Sequence, residues 1–176
     1  GVPAFEKWAE LIIHPKDKKG WPTVMATDIA LWSALIWTYA SIATDTGCGL
    51  MRPLYATFLT EAGKQLKDKA LMARADEALA LGARWDRIAE LALPAGKAPF
   101  KQVRALLDQR EAARHQGPAA EKALAKAEAD LAALQQQTPK FPAGYRETLF
   151  PAMHTELTAV AAAERAFMER MADLAG

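Results

Sequence analysis

The run Phe150-Pro151-Ala152-Met153-His154-Thr155-Glu156-Leu157-Thr158-Ala159-Val160-Ala161-Ala162-Ala163-Glu164-Arg165-Ala166-Phe167-Met168-Glu169-Arg170-Met171-Ala172-Asp173-Leu174 carries the clearest periodic signal in the chain. Phe150, Met153, Leu157, Val160, Glu164, Phe167, Met171 and Leu174 recur at alternating steps of four and three. That spacing keeps one stripe of a helix on one side, and a stripe this long must pack against other helices. Glu164 is the one acid in the seam, and it is expected to be partly exposed and paired with an Arg or Lys. Period-two alternation, the mark of a half-buried strand, is found nowhere in the sequence.

Working outward from that helix, the same reading covers the whole chain. Pro3 opens a helix through His14, and Pro15 closes it. A polar loop follows over Lys16–Pro22. Thr23 is placed to cap a second helix that runs to Thr44 and presents Ile29, Trp32, Ile36 and Tyr39 on one face. Val24 to Ala43 holds a single charge, Asp28. It is long enough to span a bilayer, but Thr27, Ser33, Thr38, Tyr39 and Ser41 interrupt it and no flanking basic pattern marks it. A central core helix is expected, with no membrane span. From Leu50 to Leu66 the apolar set Leu54, Tyr55, Phe58, Leu59 and Ala62 is read as the inward face. Ala70 to Leu93 continues helically with Leu71, Ala75, Leu79, Trp85 and Ile88 inward, and Gly82 is the place for a kink or split. The two runs Phe100–Gln116 and Ala119–Gln137, joined by Gly117-Pro118, carry a narrow stripe and suit an antiparallel hairpin. The fold class expected is all-α, a helical bundle with a projecting antiparallel helical hairpin. The bundle core is assigned to residues 1–97 and 138–176, with the hairpin, residues 98–137, an extension of the same domain.

Composition narrows the function classes. Twenty-two basic against twenty-one acidic residues leave a net charge of +1, which is no electrostatic footprint for nucleic acid. One cysteine, Cys48, excludes an intrachain disulfide framework and a multi-cysteine zinc site. It agrees with a reducing compartment, so a cytoplasmic setting is expected. The N-terminus shows no basic segment followed by an apolar run, so no signal peptide is read. The chain opens on Gly1 and not on Met, as expected of a chain that has been processed or cut from something longer. The acids and the three histidines show no metal-ligand spacing, and no cofactor is implied. Trp21, Trp32, Trp37 and Trp85 are read as core.

The glycine-rich turn Thr46-Gly47-Cys48-Gly49 ahead of a helix is the one local pattern with chemical meaning. Helix N-terminal amides carry partial positive charge, which lowers a thiol pKa and attracts anions. A Cys48 nucleophile needs a base, and His14, His115 and His154 are the candidates, with nothing in the sequence to pair any of them with it. Arg52 sits one turn into the helix, where glycines let a ligand approach and a guanidinium binds carboxylate or phosphate. Gly47, Cys48, Gly49, Arg52 and Tyr55 are therefore the candidate anion or ligand site. The competing reading pairs Arg52 with Asp45 or Glu61 to fix the helix junction. The Lys-Ser/Thr pair of a P-loop is missing.

The stretch from Thr46 to Ala62 resembles the C-terminal helical domain of the butirosin biosynthesis protein H family. The motif of that family runs roughly Thr-Gly-Gly-Gly-x-x-Arg-x-x-Tyr-x-x-Phe-Leu-x-Glu-Ala. The match falls on Thr46, Gly47, Gly49, Arg52, Tyr55, Phe58, Leu59, Glu61 and Ala62. Gly1-Val2-Pro3-Ala4 with Trp8-Ala9 is similar to the start of that domain, and Trp85 with Ile88-Ala89 to its later tryptophan helix. Members resemble papain-like acyltransferases that move an acyl group from a carrier protein to an amine, with the nucleophilic Cys in a separate N-terminal domain. The resemblance implies an accessory domain, inactive alone, whose partner is that catalytic domain or another protein. Gly47, Gly49 and Arg52 would shape a wall of the substrate or pantetheine-phosphate channel. Cys48 departs from the motif by replacing its middle glycine. The alternative is a free-standing helical interaction module, a possible homodimer, with the Ala119–Gln137 hairpin and the last helix as contact surfaces, which mutation of Leu131 or Leu134 would break.

Overall fold

The computed structural model describes residues 2–44, 49 and 51–174. It is an all-α helical bundle: among the described residues there are eight α-helices, one 3-10 turn and no strand. In chain order these are α1 (Val2–Ile13), α2 (Trp21–Val24), α3 (Asp28–Ala43), α4 (Met51–Leu66), α5 (Lys69–Ala92), α6 (Phe100–His115), the 3-10 turn Gly117–Ala120, α7 (Glu121–Gln136) and α8 (Tyr145–Asp173). None of them is long and apolar enough to cross a membrane.

Helix α3 is the centre. Leu31, Trp32, Leu35, Ile36, Tyr39 and Ile42 are all buried, spread round the helix instead of along one stripe. Its start lies four residues later than the sequence suggests. Thr27, not Thr23, is the cap and accepts a hydrogen bond from the Ala30 amide at 3.3 Å. Trp21 and Pro22 have already made the separate turn α2. With the later start Ile29 turns outward, and Trp37, expected in the core, is 65% exposed. Arg146 closes this end of the bundle. Its Nη2 donates to Asp28 Oδ1 at 2.9 Å and its Nε to the Met25 carbonyl at 2.9 Å. The Arg146 hydrogen bond holds the Asp28 carboxyl below its ordinary value.

The seam of α8 faces inward along most of its length, with Phe150, Met153, Leu157, Val160, Glu164 and Phe167 buried. Helices α1 and α5 take up its two sides. At one end Trp21 meets Phe150 edge-on at 5.7 Å, and further along Phe5 meets Trp85 edge-on at 4.9 Å. Glu164 departs from expectation in its burial. It is a fully enclosed acid, 2% exposed.

The hairpin α6–α7 is stitched to this body. Val103, Leu107 and Leu131 share one apolar cluster with α3, α5 and α8. Trp32 meets Phe100 at 5.6 Å, and its indole N–H donates to the Leu134 carbonyl at 3.4 Å. Leu131 is buried and Leu134 packs against the cluster, so neither is offered as a contact surface in the way the interaction-module reading requires. A second, smaller cluster lies between α4, the first half of α5 and the end of α8. It holds Ala56, Leu59, Ala75, Ala78, Leu81 and Phe167.

Candidate functional site

The candidate site begins where α4 starts. Gly49 is buried in the turn ahead of the helix, and the Arg52 amide donates to its carbonyl at 3.2 Å. A Cβ at Gly49 would lie 3.2 Å from the Ile42 carbonyl oxygen and 3.3 Å from Trp85 Cβ. The glycine thus serves close packing of the turn between α3 and α5. Gly82 plays the matching part on α5. A Cβ there would stand 3.2 Å from Arg52 Cβ. Helix α5 runs unbroken through Gly82, so that residue marks where α4 approaches and not a kink.

The Arg52 side chain then reaches into the bundle. Its Nη2 donates to Glu164 Oε2 at 2.5 Å, and the other carboxylate oxygen accepts from Trp85 Nε1 at 2.9 Å. The guanidinium carbon stands 5.7 Å from the centre of the Phe167 ring. Both oxygens of the buried carboxylate are therefore engaged, one by a charge-assisted bond and one by a neutral donor. A carboxylate is stable at this depth only when so paired. The triad sits at the junction of the two apolar clusters, since Trp85 belongs to the larger and Phe167 to the smaller.

This arrangement changes the reading of the candidate residues. Arg52 is partnered by an acid, Glu164, and not by Glu61, which pairs with Lys64 at 3.1 Å on the surface. Asp45, Thr46, Gly47 and Cys48 lie outside the described residues. Tyr55 is half-buried, its ring 6.0 Å from Phe167 and 6.2 Å from Phe58. Gly49, Arg52 and Tyr55 are thus brought together with Glu164, Trp85 and Phe167, in a structural junction that holds α4 to α5 and α8. Reasoning from the sequence missed Glu164 as the partner, although an acid in an apolar seam is the signal that demands a cation. The histidines stand apart. His14 is exposed, His115 lies 3.2 Å from Glu111 on the hairpin, and His154 lines a shallow groove between α1 and α8 with Glu6 and Arg165.

The outer face of α4 is the second feature. Of the residues expected inside, Leu59 is buried, whereas Leu54 and Phe58 point to solvent, each 62% exposed, with Met51 exposed beside them. Beside Leu59 the buried positions are Ala56 and Gly63. The reason is the closeness of α4 to α5. A Cβ at Gly63 would lie 2.6 Å from Met72 Cγ, so small residues must line the contact. Leu79 on α5, also expected inside, is half exposed.

The family model described as a domain of unknown function (DUF4872) matches residues 1–128. The chain belongs to that family. The DUF4872 match contains Gly49, Arg52 and Trp85 and ends inside α7, whereas Glu164 lies beyond it on α8. No curated protein and no solved structure matches the chain.

Proposed function

We propose that this DUF4872 chain is an accessory helical domain of a butirosin-H-like acyltransferase, inactive alone, that packs on a catalytic domain carrying the Cys nucleophile. The observation that carries the reading is the outward apolar face of α4. Met51, Leu54 and Phe58 follow at steps of three and four on the helix that bears the family-like motif, and all three are exposed. An ordered row of large apolar side chains on a surface marks an interaction face. The residues around Arg52 complement this view. Arg52 is taken up by Glu164 in a closed ion pair, which suits a positioning element. On this reading Gly49 and Arg52 set the pose of α4, and α4 presents the docking row.

The test has two stages. The coding sequence upstream of Val2 should contain an in-frame domain with Cys and His; its absence would abandon the proposal. With that domain in hand, the binding of wild type is compared with that of Leu54→Glu and Phe58→Glu. Each should weaken association at least tenfold, because a carboxylate cannot be buried unpaired at such a contact. Unchanged affinity would move the docking face elsewhere.

A further inference from the structure

We propose that the Arg52–Glu164 ion pair is a latch, and that α4 is a lid which opens as a unit while the main bundle stays folded. This inference does not depend on what docks against the outer face. Three observations carry it. First, α4 lies close along α5 yet brings one large buried side chain to that contact, Leu59, beside Ala56 and Gly63. Lifting it exposes the smaller cluster, in which Leu59, Leu81 and Phe167 are the large side chains beside three alanines, whereas α3 could leave only by exposing Trp32, Leu31, Leu35 and Ile42, each fully buried. Segments with few large buried contacts open at lower free energy than the whole fold.

Second, the specific side-chain contacts of α4 on α8 include Arg52 on Glu164 and Tyr55 on Phe167. The first is charged and set deep, so opening strands the Glu164 carboxylate with the Trp85 indole as its remaining partner. That cost is concentrated in one pair, and removing the pair's charge removes it. Third, α4 is joined to α5 by the short turn Lys67-Asp68, in which Lys67 takes a left-handed conformation with φ 56° and the Asp68 amide bonds back to the Gly63 carbonyl at 2.8 Å. The turn gives α4 a pivot, while the Asp68 side chain caps α5 separately by accepting from the Ala70 and Leu71 amides.

The experiment is amide hydrogen exchange on the whole chain, wild type against the pair Arg52→Met with Glu164→Gln. Glutamine keeps an acceptor for the Trp85 N–H, and methionine keeps apolar contact with Phe167, so the charge is what changes. Amides of α4 should lose protection by about tenfold or more, the equivalent of one charge-assisted hydrogen bond. Amides of α3 and of α8 up to Val160 should keep theirs. Unchanged protection in α4 would overturn the latch. So would an equal loss in every helix, or a variant that fails to fold, since either makes the pair a support of one cooperative unit.

Discussion

Helix α4 and the hairpin α6–α7 both carry sparse apolar residues on otherwise polar helices, yet they dispose of them in opposite directions. In the hairpin the single stripe turns inward, and Val103, Leu107 and Leu131 are buried. In α4 there are two stripes. The small one, Ala56, Leu59 and Gly63, goes in, and the large one, Met51, Leu54 and Phe58, stays out. Two helices that approach closely select small side chains at the contact, whatever the hydrophobicity of the alternatives. Periodicity therefore finds a helix face without saying whether that face is for the core or for a partner. The hairpin is closed on itself and the body; α4 is closed on one side only.

This contrast can be broken at several points. The largest effect is expected at the triad. Arg52→Met alone leaves the Glu164 carboxylate buried with one neutral donor, and should cost about 3–5 kcal/mol in denaturant unfolding. A loss under 1 kcal/mol would mean that water reaches Glu164. Next comes the same substitution made in both regions. Leu131→Ala should cost about 2–4 kcal/mol because it opens a cavity in the shared cluster, whereas Leu54→Ala should change stability by less than about 0.5 kcal/mol. Equal losses would erase the distinction. Gly63→Ala tests the closeness of α4 to α5, because its methyl meets Met72 and must push the helices apart, for about 1–3 kcal/mol. Lys67→Gly should stabilise by about 0.5–1 kcal/mol, since glycine takes the left-handed turn freely.

The smallest effect concerns acid and falls on the hairpin. Glu90 on α5 accepts from the Ala95 amide at 2.8 Å and pairs with Arg104 on α6 at 2.5 Å, and Arg104 also donates to the Leu93 carbonyl at 2.9 Å. The Ala95 hydrogen bond first, then Arg104, holds the Glu90 carboxyl below its ordinary 4.5, against the opposing effect of burial. A folded pKa below the unfolded one means that this stabilisation is present above 4.5 and is lost as pH falls through the lowered value. Unfolding measured at pH 6 and pH 3 should show a larger fall for wild type than for Glu90→Gln. Identical falls would detach Glu90 from the anchoring of the hairpin.

Much of the fold was legible. The all-α class followed from periodicity, and the seam of α8 is buried from Phe150 to Phe167 as its spacing requires. The helix boundaries were less so, because Thr23 and Thr27 both offer a capping hydroxyl and only packing chooses between them. Of the candidate site, Arg52 was visible but its partner was not. Glu164 stands 112 positions away, and nothing local to either residue links them. Gly82 was read as a weak point in α5, yet it is a place of approach, which requires knowing what lies opposite. On α4 the expected inward set divides: Leu59 is buried, while Leu54 and Phe58 face solvent because small residues line the close contact with α5.

The position of Glu164 has a consequence for where this domain is cut. The similarity that defines the family stops at residue 128, inside α7. A polypeptide ended there would keep the cation and the indole but lose the carboxylate between them. It would also lose Met153, Leu157, Val160 and Phe167, whose absence would leave the inner faces of α1 and α5 facing water. The boundary of a recognisable sequence falls short of the folding unit here, because the folded body needs α8.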